Sequence, residues 1–152
     1  MESIATEPLT RCVESPSLGC VTFKERDVIL FPNGLIGFEE YTNFTLVVQP
    51  ELAPFKWLLN IEEPSLCFPV VDPFFIMEEY NPLPPVEEIK SIGLNDIKDA
   101  QLYAIVNVGQ EAIQVSANLR GPLVINEQRR LGKQIVLVDS NYLLKYPIII
   151  QS

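Results

Sequence analysis

Prolines divide this chain into short apolar runs, and that division limits its fold more than any other feature. A proline removes a backbone donor and clashes with the helical turn before it. FTLVVQP and FKWLLNIEEP each close on one, NPLPP reads as a rigid connector, and Pro147 interrupts the last apolar run. Pro69 and Pro73 fall inside CFPVVDPFFIMEEY, residues 67–80, and predict two short strands or one kinked edge strand with no helix. FPNGLIGF adds Pro32, Asn33, Gly34 and Gly37, the residue types that supply fixed or positive φ in tight turns.

Between these breaks the runs are strand-like. VTFKERDVILF predicts two strands around a Glu25-Arg26-Asp27 turn. QLYAIVNV and AIQVSANL predict a hairpin through Gly109-Gln110-Glu111, and PLVIN and KQIVLVD flank a turn in NEQRRLG. PPVEEIKSIGL alone carries a full helix signature: Pro85 in the first turn, Glu87 and Glu88 at the positive end, and Gly93 as the stop. NDIKDA predicts a further turn capped by Asn95. The expectation is a mainly β chain, a small antiparallel barrel or sandwich with one or two short helices. Residues 1–18 mix Ser, Thr, Pro and Glu without periodicity and read as a flexible tail, leaving 19–152 as a single domain.

The chemistry on offer is narrow. Histidine is absent, which removes the commonest general base and metal ligand together. Cys12, Cys20 and Cys67 form no CxxC pair, and their odd number argues against a disulfide framework, so idle thiols are expected. Gly34-Leu-Ile-Gly37 lacks a following Lys-Ser/Thr, and Glu39-Glu40 would repel a phosphate. The paired carboxylates Glu39-Glu40, Glu62-Glu63, Glu78-Glu79 and Glu87-Glu88 are neighbours that point apart along a strand, unlike the converging pair of a glycosidase. No catalytic residue, cofactor site or metal site is expected.

Charge is concentrated in the middle of the chain. Residues 39–99 carry twelve acids against Lys56, Lys90 and Lys98, a net −9 that equals the whole chain's excess. That field opposes nucleic-acid and anionic-membrane binding and attracts a basic protein. No apolar run approaches the 18 residues of a spanning helix, and residues 1–18 lack the apolar core of a secretory leader. The expected address is the cytoplasm. Asp72 before Pro73 fits a corner whose carboxylate caps nearby amides, or a contact residue beside Glu78 and Glu79. Asn118 in SANLRGP has the same two readings, corner or contact.

VTFKERDVILFPNGLIGFEEYTNFTLV, SLCFPVVDPFFIMEEY, SANLRGPLVIN and LGKQIVLVDSNY together resemble the bacterial flagellar assembly factor family, FliW, in one order from about Gly19 to Pro147. Ser116 stands where threonine is more usual, and NYLLKYPIIIQS lacks the family's frequent basic close. The resemblance implies a small antiparallel β-barrel-like protein without enzymatic activity. It implies binding of newly made flagellin in the cytoplasm, and of the RNA-binding repressor CsrA, which is thereby kept from silencing flagellin translation. Flagellin would then use apolar rim residues such as Phe38, Tyr41 and Tyr80, the acidic face with Glu78 and Glu79 would meet the basic CsrA, and Glu39, Asp72 and Asn118 are further partner contacts. The rival reading is a non-catalytic acidic β scaffold that binds carbohydrate or cations.

Overall fold

The computed structural model describes residues 9–109 and 115–148. Eleven strands and two short helices follow one another as β1 (Thr10–Ser15), β2 (Gly19–Lys24), β3 (Ile29–Leu30), β4 (Asn43–Val48), β5 (Lys56–Asn60), β6 (Cys67–Val71), α1 (Pro73–Ile76), α2 (Val86–Lys90), β7 (Gln101–Val108), β8 (Val115–Ala117), β9 (Leu123–Asn126), β10 (Leu131–Gln134) and β11 (Tyr146–Pro147). Strands β3-β4-β5-β6-β7-β9-β10 form a closed ring of seven, so of barrel and sandwich the barrel is the architecture. Every pairing in the ring is antiparallel except β10 with β3, which meet in parallel at Leu131 and Leu30.

Closure depends on β7. Gln101–Tyr103 pair with β9, Ala104 and Ile105 with β6, and Val106–Val108 with β8. One strand thus seals the barrel with its first half and carries β8 and β11 outside with its second. Its two faces are both covered. Tyr103 points into the barrel with Phe31, Phe44, Leu58, Val70, Leu123 and Ile125. Leu102, Ala104 and Val106 pack outward, against Ile89 and Ile92 of the α2 region and Leu119, Val124 and Ile135. Alternation of period two serves two cores at once.

Within the barrel, Phe31 and Phe44 meet edge to face, with ring centroids 5.3 Å apart. A Cβ on Gly132 would stand 2.6 Å from the Phe31 ring, so β10 needs glycine there to lie close to it. The expected turns fall where the sequence placed them. Glu25–Asp27 form a 3-10 turn between β2 and β3, and α2 starts after Pro85, with Gly93 three residues beyond its end. The turn at Ile97–Asp99 is capped by Asp96, whose carboxylate accepts from the Lys98 amide at 2.9 Å, and not by Asn95.

Three further expectations need correction. Thr10–Ser15, assigned to the flexible tail, pair with β2 along their full length; residues 1–8 lie outside the described part. The segment gives little alternation signal because several of its side chains are exposed on both faces. Pro73 does not exclude a helix but begins one: as the first residue of α1 it has no amide to satisfy, and Asp72 caps the turn by accepting from Phe74 N at 2.8 Å. Cys12 and Cys20 are joined as a disulfide across the β1–β2 hairpin, their Cα atoms 6.4 Å apart. The odd count misled because the third cysteine, Cys67, is simply left free, its thiol pushed up to about 11 by burial. Glu14 lies beside both bonded sulfurs, which are not free to ligate a metal. The expected turn at Gly109-Gln110-Glu111 runs into residues 110–114, outside the described part, although β7 and β8 pair antiparallel around it.

Candidate partner-binding site

The loop from Phe31 to Phe38 carries the first group of predicted contacts. Gly34 has φ +64, and a Cβ there would stand 2.6 Å from the Glu39 Cα, so the loop folds tightly back on itself only with glycine. Leu35 dives into the barrel core while Ile36 and Phe38 remain at the surface, 58% and 36% exposed. The Phe38 ring leans edge-on against Phe68, centroids 5.2 Å apart. Glu39 accepts from the Gly37 amide at 3.0 Å, and that bond with its own amide holds the carboxyl below its ordinary pKa. Tyr41 is half-buried against the barrel core.

Across from this loop runs the chain that follows β10. Leu35, Ile36, Phe38, Phe68, Ile105, Asn107, Asn118, Gly121, Gln134, Val136 and Leu144 enclose a groove of about 270 Å³ with no charged side chain in its lining. Amides supply the polarity. Gln134 accepts from Ile36 N at 2.9 Å and donates to Gly121 O at 3.1 Å, tying loop to hairpin. Asn118 accepts from the Arg120 and Gly121 amides, so it holds the corner, one of its two readings, and also lines the groove. Phe38 and Asn118, remote in sequence, come together here.

The second group sits elsewhere. Asp72 caps α1, and Glu78 and Glu79 are exposed on the turn after it. Tyr80 contradicts its assignment as a rim residue: it is 3% exposed, and its hydroxyl donates to Leu119 O at 2.6 Å. Burial raises its phenol pKa well above the usual range, with Tyr142 adding to the rise. An aromatic beside two glutamates looks like a rim anchor in sequence, but here the hydroxyl finds a buried carbonyl and the ring packs against Tyr142 at 4.7 Å. The aromatic exposure belongs instead to Phe74 and Phe75 of α1. Beyond Tyr80, Met77, Asn81, Leu83 and Pro85 face Leu137–Tyr142 over a wider groove of about 790 Å³, where Asp139 is the charged lining residue.

Sequence reasoning missed Ile36, Phe68, Val136 and Leu144. The apolar alternation of IVLVD was the available signal for Val136, since Ile135 and Leu137 are buried while Val136 and Val138 are exposed.

Fold and surface define a small closed β-barrel that presents an uncharged apolar groove and, elsewhere on its surface, an acidic turn. Residues 12–148 match the FliW protein family. The flagellar assembly factor FliW of Leptospira interrogans is 36% identical over 138 residues, covering 90% of this chain and 92% of that protein. The flagellar assembly factor FliW of Natranaerobius thermophilus is likewise 36% identical, over 137 residues covering 90% and 91%. A crystal structure of the flagellar assembly factor FliW superposes with a TM-score of 0.83 at 30% identity, over 93% of this chain and 99% of that one. The chain belongs to the FliW family of flagellar assembly factors. Among the described residues, no helix is long and apolar enough to cross a membrane.

Proposed function

We propose that this flagellar assembly factor acts in the cytoplasm by binding two proteins in turn, flagellin and the translational repressor CsrA, and transforms no substrate. The observation that carries the flagellin half is the exposed apolar groove at Phe38, with Ile36, Val136 and Leu144 around it. Aromatic and aliphatic side chains left in water on a rigid frame offer binding energy that the fold itself does not use. The CsrA half rests on charge: Glu78 and Glu79 are exposed in the acidic middle of the chain, and their field speeds encounter with a basic partner. Among the described residues, the groups with displaced pKa values, Glu39, Cys67 and Tyr80, lie on an exposed loop, a strand and the outer core respectively.

The regulatory consequence is mass action. Flagellin that accumulates before export occupies the factor; once exported it leaves the factor free to hold CsrA, so flagellin translation resumes. Native mass spectrometry of the protein with purified flagellin monomer and CsrA tests this. The expected result is a binary complex with each partner, and release of CsrA as flagellin is added. Absence of both binary complexes at low ionic strength would remove the proposal.

A further inference from the structure

The ladder between β9 and β10 continues past the ends of both strands. Ile135 N donates to Pro122 O at 3.1 Å and Leu137 N to Arg120 O at 2.8 Å, in the register that pairs Gln134 with Leu123. Alternate residues of an antiparallel ladder turn their peptide groups to opposite edges. Ile135 and Leu137 therefore serve the inner edge, while Val136 and Val138 present theirs to the outer one. That outer edge is covered by β3 only at Leu131, where Leu30 N donates to Arg130 O. Beyond it the Phe31–Phe38 loop swings away, and the Gln134 side chain bridges the gap to Ile36. Among the described residues, the Val136 N–H, the Val136 carbonyl and the Val138 N–H have no hydrogen-bond partner; the Val138 carbonyl takes the Arg120 guanidinium at 3.3 Å. Val136 and Val138 are 40% and 66% exposed.

We infer that the Val136–Val138 edge is a docking strand: an extended segment of a partner protein pairs with it through the main chain and sets apolar side chains into the groove at Phe38. The free amides and carbonyl require an occupant whose own backbone is unpaired, which a helix cannot offer. The exposed valines and the groove select apolar side chains at alternate positions. Exposed Glu39 and Glu40 follow Phe38 in the chain and exposed Asp139 follows Val138, all three outside the uncharged groove lining, so the segment carries Lys or Arg outside its apolar positions. The docking strand depends on the flagellin reading for its natural partner and on this edge alone for its chemistry.

Val136→Pro removes the outward N–H without touching the ladder, a place where strands tolerate proline; Val136→Thr keeps the N–H and the β-branch. The probe is a fluorescein-labelled peptide, Lys-Val-Thr-Val-Thr-Val-Lys, with a copy N-methylated at alternate amides in case the proline variant fails to fold. Flagellin monomer is the second ligand. The expected result is probe binding by wild type and by Val136→Thr alike, weakened about tenfold or more by Val136→Pro or by N-methylation, the loss of about one main-chain hydrogen bond. Equal affinity across these variants, no probe binding to wild type at millimolar concentration, or pairing of this edge with a second copy of the chain would overturn it. A probe that binds as expected beside flagellin that does not would instead sink the flagellin reading and leave the docking strand standing.

Discussion

Phe31 and Phe38 begin and end one short loop, and their surroundings differ in every respect. Phe31 is wholly buried, edge-on to Phe44 and pressed against Gly132, inside the closed ring. Phe38 leans on half-buried Phe68 at the mouth of a groove, next to a strand edge that β3 covers only at Leu131. The same side chain therefore contributes to folding at one end of the loop and is left over for binding at the other. Closure of the ring makes this division possible, because the strands enclose Phe31 and its neighbours with no help from the loop's outer face.

The widest separation is expected on truncating each aromatic. Phe31→Ala should cost about 3–5 kcal/mol in urea or thermal unfolding, as a buried aromatic removed from a packed core does. A loss below about 1 kcal/mol would mean that the barrel interior is not the folding core. Gly132→Ala sharpens the same side of the comparison: the added methyl meets the Phe31 ring, and destabilisation of about 1–3 kcal/mol is expected from overpacking. If Phe31→Ala rescued Gly132→Ala in a double mutant, the steric cause would be established. On the surface side, Glu78→Gln with Glu79→Gln should leave the melting temperature unchanged. Their effect should appear as slower association with CsrA and a flatter salt dependence of its rate. Unchanged association kinetics would detach the acidic turn from that partner.

Much of the frame was legible in the sequence because turns have local causes. Pro32-Asn33-Gly34 and the Pro85–Gly93 helix were found where their backbone requirements placed them. The β1 strand was not, since its side chains do not alternate cleanly between buried and exposed. Pro73 was read as a breaker when its position immediately after Asp72 made it a starter. The site was less legible for a different reason. Asp72, Glu78 and Glu79 stayed exposed as their charges demand, but Tyr80 turned inward because Leu119 offers a carbonyl at 2.6 Å, a contact only the fold creates. The open edge at Val136 and Val138 likewise exists because β3 ends its pairing at Leu30, which no local pattern announces.

Isothermal titration of purified flagellin monomer into wild type and Phe38→Ala addresses the account at its centre. Phe38→Ala should weaken binding by about tenfold or more, the range of an interface aromatic, while its unfolding midpoint stays close to that of wild type. Wild type that takes up no flagellin, or a Phe38→Ala protein that binds it as tightly, would contradict the claim that the outer end of this loop is kept for a partner.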